Sequence, residues 1–228
     1  MTENIPYVPA PWSLTGDGYI LVYRFSREFA LQHGFIPPQQ RDTFKGGLGT
    51  VMIVNYHSSD VGPYGELLFV PGLFQMDGKS RFSITKIYVS TQISVNNGWE
   101  NWAIPKERAD FDFRQGPARS ELISVSLEGT PFFQMQMQPY GPQIPVNTAW
   151  LPIKATLGQY KMHTLMLTAP SGKGRVQLAH IRQANINGSS FPDVTPLKPL
   201  LALKAADVQL QFPVADVITQ PQLAQDTL

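Results

Sequence analysis

The sequence Asn97-Gly98-Trp99-Glu100-Asn101-Trp102-Ala103-Ile104-Pro105-Lys106-Glu107 places two tryptophans, a proline and a lysine within one short stretch. Lysine normally keeps its ammonium group in water. Lys106, however, follows an apolar segment in which proline removes a backbone donor and fixes its own φ. Burial disfavours a charged ammonium, and the neutral amine is a nucleophile toward carbonyl groups. The stretch predicts a reactive lysine; the alternative is a surface lysine that starts a strand beside two core tryptophans.

The composition around this stretch is that of one large β domain. The chain has 228 residues, of which 43% are hydrophobic and only 15% are charged. All-β domains commonly reach roughly 200–250 residues undivided, so we expect a single domain over residues 1–228. Residues 219–228 are polar and are expected to form a loose tail. The small number of charges predicts that part of the exterior is buried in a homo-oligomer.

Several classes of partner and site are not expected. The net charge is +1 with scattered basic residues, which does not suit a nucleic-acid-binding protein. The chain has no cysteine, and its histidines (His33, His57, His163 and His180) lack metal-ligand spacing, so no metal site is expected. The sequence shows no signal-peptide pattern and no apolar run of ~20 residues, which predicts a cytoplasmic protein that does not enter a membrane.

Proline and glycine divide the chain into short pieces, which favours strands joined by turns. Residues 19–25 form a nearly continuous β-prone run, and Thr15-Gly16-Asp17-Gly18 before them predicts a turn. Residues 50–57 predict another strand. Residues 64–72 predict a further one, which carries Glu66 among apolar neighbours. Asp77-Gly78 predicts a hairpin tip.

Alternation and capping signals add further expectations. Residues 81–90 alternate, which puts Lys86 on the same face as aromatic residues, in a pocket or at its rim. Ser26 predicts the N-cap of a short helix over residues 27–33, with Gly34 as its stop. Residues 199–206 suit a short helix, although residues 207–212 alternate as a strand does. Glu66 and Glu100 are the only attractive carboxylate pair, and their spacing does not show that they meet.

Gly98-x-Glu100-x-Trp102-x-x-Pro105-Lys106, preceded by Gly62-Pro63-Tyr64-Gly65-Glu66, resembles the acetoacetate decarboxylase family. In that family the lysine after the proline forms a Schiff base, and a glutamate two residues after a tyrosine lines the same pocket. The resemblance continues weakly over most of the chain and implies a closed antiparallel β-barrel with a few short helices. It also implies an oligomer. Barrel closure removes exposed strand edges and can enclose a ligand cavity.

Carried over by position, Lys106 becomes the Schiff-base lysine and Glu66 the pocket carboxylate. Tyr64, Trp102 and Ile104 are expected to keep the pocket dry, and Glu100 to orient the lysine loop. Lys86 is added to this pocket because of its strand face. No metal or organic cofactor is implied, because the iminium ion itself withdraws electrons.

The sequence also departs from the family pattern. Glu107 stands where the decarboxylase has a second lysine. Acetoacetate decarboxylase itself is the established example of a lysine activated by desolvation or by a neighbouring cation. An ionised Glu107 close to Lys106 would favour the ammonium, although strand alternation allows the two side chains to face opposite sides. No arginine occupies residues 15–17 to hold a substrate carboxylate, and the family glutamate expected near Val51 or Met52 is missing.

These features predict a Schiff-base lyase acting on a small keto acid or related carbonyl compound. Relatives in this superfamily use the same lysine for aldol-type and dehydration reactions, so the bond that breaks is left open. The alternative is a non-catalytic barrel that binds a small apolar or carbonyl ligand, in which Lys106 is a remnant. A purely structural role has no specific support in the sequence.

Overall fold

The computed structural model describes residues 5–150 and 155–219, which form sixteen strands and two α-helices. The helices are α1 (Arg27–His33) and α2 (Gln92–Trp102). The strands are β1 (Trp12–Tyr23), β2 (Phe44–Gly46), β3 (Gly49–Ser58), β4 (Tyr64–Val70), β5 (Leu73–Met76), β6 (Lys79–Phe82), β7 (Lys86–Val89), β8 (Lys106–Arg108), β9 (Asp110–Gln115), β10 (Glu121–Leu127), β11 (Thr130–Asn147), β12 (Leu157–Lys161), β13 (Thr164–Thr168), β14 (Ser171–Ile186), β15 (Leu201–Phe212) and β16 (Asp216–Thr219).

Ten strands form one strongly curved sheet in the order β8-β7-β4-β3-β1-β15-β14-β11-β10-β9. Its neighbouring strands are antiparallel, except that β7 and β8 run parallel. The two edge strands, β8 and β9, follow each other in the chain and are joined by Ala109, whose N–H donates to the carbonyl of Val89 (3.0 Å). The predicted mainly β barrel is thus confirmed, and its ring is nearly closed.

The barrel interior is an apolar core in which distant strands meet. The rings of Tyr88 on β7 and Phe132 on β11 lie 4.7 Å apart, and Phe69 and Phe133 both pack edge-on against Phe191. These side chains belong to one buried cluster that also takes alternate residues of β1 and β3. Because β-strand side chains alternate between faces, the intervening residues of these strands point outward.

The outward face of β4, of β7, of the first part of β1 and of the last part of β3 is buried as well, beneath α2 and the second sheet. That sheet has the order β16-β13-β12-β6-β5-β2 and contributes Phe82, Leu157 and Met166 to the outer cluster. All seven residues of β4 are therefore buried, which explains its nearly continuous apolar sequence.

Several local predictions are confirmed and others are wrong. Ser26 caps α1, since its Oγ accepts a hydrogen bond from the N–H of Phe29 (3.0 Å), and the hairpin at Asp77-Gly78 joins β5 to β6. Residues 15–18 are not a turn but part of β1. There a Cβ on Gly16 would lie only 2.2 Å from the carbonyl oxygen of Asn55, so the close strand approach explains this glycine. Residues 199–206 are not helical, because β15 starts at Leu201 and pairs with both β1 and β14.

Helix α2 was not expected from the sequence. Neither helix of the described ranges is long and apolar enough to cross a membrane. The predicted tail begins at Thr219, the last residue of β16, and its remaining residues lie outside the described ranges. The assignment of residues 1–228 to one domain stays a prediction.

Gly65 on β4 lies against the ring of Phe111 on β9, in a contact that leaves no room for a Cβ atom. A Cβ on Gly65 would lie 2.7 Å from two ring atoms of Phe111. We expect Gly65→Ala to lower the free energy of unfolding by about 1–3 kcal/mol, the usual range for overpacking. In a Phe111→Ala background the same alanine should cost far less. Urea denaturation of the two single variants and the double variant measures this coupling.

Gly188→Ala is the matched control, because the nearest atom to its added Cβ would be at an ordinary 3.7 Å. A Gly65→Ala penalty that persists without the Phe111 ring would contradict the proposed steric cause.

Candidate active site

Lys106 is the first residue of β8, and its side chain is buried. Only 4% of the side chain is exposed, and Nζ lies 3.2 Å from Oε2 of Glu66. Nζ also donates a hydrogen bond to Oγ of Ser94 on α2 (3.1 Å). The surface alternative for this lysine is therefore wrong, although Lys106 does start a strand.

Glu66 supplies the negative charge at this site from the outward face of β4. Its side chain is 9% exposed, and its Oε1 accepts a hydrogen bond from the phenol of Tyr56 on β3 (3.3 Å). Burial raises the pKa of Tyr56 well above its ordinary value, and the nearby charge of Glu66 raises it further. Tyr56 therefore stays protonated at neutral pH and remains a hydrogen-bond donor to the carboxylate.

Helix α2 leaves room for the lysine stem at Gly98. A Cβ there would lie 2.7 Å from Cδ and 2.9 Å from Cε of Lys106. The helix then ends at Ala103, which adopts a left-handed conformation (φ 55°), and the N–H of Ile104 returns to the carbonyl of Gly98 (3.2 Å). This tight turn brings Pro105 and Lys106 back beneath the helix that precedes them.

Two asparagines on α2 fix the N-terminal segment over the helix. Asn97 accepts a hydrogen bond from the N–H of Val8 (2.7 Å) and donates one to the carbonyl of Pro6 (3.0 Å). Asn101, one turn later, accepts from the N–H of Ala10 (3.1 Å) and donates to the carbonyl of Val8 (2.9 Å). The segment thus leads Trp12 into the site.

Aromatic rings surround the lysine amine. Nζ of Lys106 lies 5.1 Å from the ring centre of Tyr64 and 5.9 Å from that of Trp12. Trp12 packs edge-on against Trp102 at 4.9 Å. Burial raises the pKa of Tyr64 well above its ordinary value, and the charge of Glu66 raises it further. This phenol is therefore also neutral at neutral pH.

These side chains line a cavity of about 230 Å³ between the large sheet and the second sheet. The walls are mainly apolar side chains: Trp12, Leu14, Met52, Leu68, Val70, Ile84, Ile87, Trp102, Ile104, Leu157, Leu210 and Phe212. None of them belongs to the interior cluster that contains Phe69 and Phe133. The cavity therefore lies on the outer face of the barrel wall, beneath the second sheet. The expectation that the closed barrel would enclose the ligand cavity is wrong.

Five of the seven site residues taken from the sequence meet at this cavity: Lys106, Glu66, Tyr64, Trp102 and Ile104. Glu100 does not, because it lies on the solvent side of α2 and pairs with Lys161 (2.7 Å). Lys86 does not either. The strand is interrupted between β6 and β7, which breaks the alternation assumed from the sequence and turns Lys86 toward Phe35 and Tyr88.

Glu107 faces away from the cavity, as strand alternation allows. Its Oε1 accepts a hydrogen bond from Nζ of Lys86 (2.6 Å), and its side chain is 54% exposed. Lys106 pairs in register with Ile87, a cavity residue, whereas Glu107 pairs with Tyr88 of the barrel interior. Glu107 therefore does not take part in the contacts of the lysine amine.

Sequence reasoning missed Ser94, Tyr56, Met52 and Trp12 at this site. Ser94 and Gly98 are four residues apart, as are Asn97 and Asn101, which are spacings that put each pair on one helix face. These spacings are visible in the sequence, but they indicate a shared face only once residues 92–102 are known to form a helix. Across residues 5–150 and 155–219, no cluster of three or more His, Asp or Glu side chains is placed to hold a metal ion.

Comparison with known families identifies the family of this chain. The sequence matches the family model for acetoacetate decarboxylase (ADC) over residues 3–189. The chain belongs to the acetoacetate decarboxylase family. A comparison with curated protein sequences finds no match.

Solved structures of several enzymes share the fold. A structure of acetoacetate decarboxylase has a TM-score of 0.69 at 14% identity, covering 93% of this chain and 91% of that chain. An acetoacetate decarboxylase-like enzyme from Sphingomonas wittichii RW1 has a TM-score of 0.64 at 12% identity, covering 92% and 93%. The enduracididine biosynthesis enzyme MppR complexed with pyruvate has a TM-score of 0.61 at 13% identity, covering 95% and 93%. At these identities the likeness shows the fold alone.

The buried contact between Lys106 and Glu66 makes a prediction for this family member's stability. Removing one partner of a buried ion pair leaves the other charge buried without a partner, which typically lowers the free energy of unfolding by about 3–5 kcal/mol. We expect Glu66→Gln to lower the free energy of unfolding by about that amount at neutral pH. Adding Lys106→Met should recover most of the loss, since no charge then remains buried. Urea denaturation of the three variants measures both effects.

Glu107→Gln is the matched control, because it breaks the exposed pair with Lys86 and should cost at most about 1 kcal/mol. Equal losses from Glu66→Gln and Glu107→Gln, or no recovery with Lys106→Met, would contradict the prediction.

Proposed function

We propose that this protein is a Schiff-base-forming lyase that acts on a small carbonyl compound through Lys106. The observation that carries the proposal is the position of the Lys106 amine: buried, in contact with Glu66, and open to an apolar cavity of about 230 Å³. Membership of the acetoacetate decarboxylase family supports the same chemistry. The reaction is either decarboxylation or aldol-type and dehydration chemistry.

The contacts of Lys106 suit each step of imine formation. The neutral amine attacks the carbonyl carbon, and a C–N bond forms. The carbonyl oxygen then leaves as water with one proton from the amine and one from the Glu66 carboxyl group, whose Oε2 is within 3.2 Å of Nζ; the proton that stays on nitrogen makes the product a protonated imine. The protonated imine accepts the electron pair of a neighbouring bond, and hydrolysis by water later restores the lysine.

The surrounding residues have positioning roles in this proposal. Tyr56 orients Glu66 through its hydrogen bond, and Ser94 orients the Lys106 amine. Tyr64, Trp12, Trp102 and Ile104 exclude water from the cavity. The competing function is a barrel that binds a carbonyl or apolar ligand without forming a bond to it. The ion pair itself favours this alternative, because a lysine held as an ammonium by Glu66 is not nucleophilic.

We also propose that the protein is a homo-oligomer, joined through an apolar surface on the outer face of β1, β14 and β15. We call this the outer patch; it consists of Ile20, Val22, Leu178, Leu201 and Leu203, which lie on one face by register. Leu178 and Leu201 are 42% and 40% exposed. Adjacent exposed apolar side chains on a sheet suit contact with a second copy of the chain.

Trapping of the imine tests the catalytic proposal. Wild-type protein incubated with a panel of small keto acids, ketones and aldehydes in the presence of cyanoborohydride should gain a stable adduct on the Lys106 peptide, detected by mass spectrometry. Lys106→Ala should lose this adduct entirely. Gly98→Ala should reduce its yield by at least about tenfold, because the added Cβ would displace the lysine stem.

Two variants serve as controls. Lys86→Ala removes the lysine that pairs with Glu107 outside the cavity, and Asn96→Ala changes an exposed residue of α2; both should keep the adduct. Absence of any adduct on Lys106 across the panel would reject the enzyme and favour the ligand-binding barrel.

Light scattering tests the oligomer. Wild-type protein at micromolar concentration should show a mass that is a multiple of 25.4 kDa. The double variant Leu178→Glu/Leu201→Glu should lower that mass, because charges in the outer patch would be buried without partners. Met162→Glu, at a highly exposed residue outside the patch, should leave it unchanged. A wild-type mass of 25.4 kDa would refute the proposal.

A further inference from the structure

The cavity around Lys106 has an uneven distribution of polar groups. Its charged side chains are Lys106 and Glu66, which contact each other, and its phenols are Tyr56 and Tyr64. Among the described residues, the remaining walls are alkyl and aromatic side chains. The polar end therefore receives a carbonyl group, and the rest of a ligand lies against apolar surface.

The charges of this cavity balance before a ligand enters. Lys106 and Glu66 sum to zero, whether the proton is on the amine or on the carboxyl group. Conversion of the lysine to an iminium ion keeps the positive charge that Glu66 already faces. A substrate carboxylate would add a negative charge that no described side chain of the cavity can balance.

Two other lysines on strands that surround the cavity pair with carboxylates outside it. Lys86 pairs with Glu107, and Lys161 pairs with Glu100 on the solvent side of α2. A carboxylate moved from water into an apolar site without a partner suffers a large desolvation penalty. The cavity thus selects against acids more strongly than it selects for any particular carbon chain.

We propose that the substrate is a neutral ketone or aldehyde with an apolar chain, and that keto acids are excluded. This inference rests on the proposed Schiff-base function. An apolar cavity of about 150 Å³ accommodates benzene, so about 230 Å³ corresponds to roughly nine non-hydrogen atoms.

The reaction class follows from the absence of a carboxylate on such a substrate. With no carboxylate to release as carbon dioxide, the iminium ion withdraws electrons from a C–H bond at the adjacent carbon. The proton passes to Glu66, which leaves an enamine. The enamine then adds through carbon to a second carbonyl group, whose oxygen takes the proton back from Glu66, or it expels a β-hydroxyl group, which leaves as water with that same proton; either step regenerates an iminium ion that water hydrolyses. The chemistry is therefore aldol addition or dehydration, with no oxidant or reductant required.

The test compares two stable ketones of nearly equal shape: 5-methylhexan-2-one, and 4-oxopentanoate, in which a carboxylate replaces the isopropyl group. Cyanoborohydride trapping on Lys106 is measured against ligand concentration. We expect the neutral ketone to be trapped and 4-oxopentanoate to require at least about a hundredfold higher concentration, given the penalty for an unpaired buried charge. Met52→Arg, which places a cation at the cavity wall, should restore trapping of the acid, and Met52→Leu should not.

The outcomes separate the inference from the function on which it rests. Trapping of 4-oxopentanoate as readily as the ketone would overturn the substrate class and leave the Schiff-base enzyme intact. Lys154 lies outside the described residues. If 4-oxopentanoate is trapped readily, a Lys154→Ala variant shows whether the charge of Lys154 is what admits the carboxylate. If neither ketone, nor any member of the wider panel, is trapped on Lys106, the proposed function fails and the inference fails with it.

Discussion

The contact between the Lys106 amine and the Glu66 carboxylate is the constraint on which this site depends. Both side chains are almost completely buried, and burial of two charges costs more than their attraction returns unless the remaining polar atoms are satisfied. Ser94 meets that condition by accepting a hydrogen bond from the Lys106 amine, and Tyr56 meets it by donating one to the Glu66 carboxylate. Three elements, β4, β8 and α2, must therefore hold fixed positions. The nearly closed barrel fixes β4 and β8, because both are strands of its wall.

Helix α2 connects this constraint to the rest of the chain. It presents Ser94 to the amine, leaves space for the lysine stem at Gly98, and binds the N-terminal segment through Asn97 and Asn101. The segment in turn delivers Trp12 to the cavity wall. A helix rich in Asn, Ser and Gly is intrinsically weak. Its stability must come from tertiary contacts, which also explains why it sits where precise positioning matters.

Sequence reasoning found the fold class, the lysine and its carboxylate, because those depend on local patterns and on a family motif. It missed α2, since Asn96, Asn97 and Gly98 disfavour helices and the contacts that override this preference are distant in sequence. It misplaced Lys86, because the alternation of residues 81–90 is broken between β6 and β7. It misplaced Glu100, because a motif position close to Lys106 does not fix the helix face, and residues two or three apart on a helix can face solvent and core respectively.

The departure at Glu107 has a smaller effect on the amine than its position in the sequence suggests. Because Glu107 pairs with Lys86, the carboxylate in contact with the Lys106 amine is that of Glu66. In the proposed Schiff-base function the same carboxylate would face the positive charge of the iminium ion, because the imine nitrogen is the former Nζ of Lys106. A second lysine beside Lys106 could not provide that contact, because its charge has the same sign as that of the iminium ion.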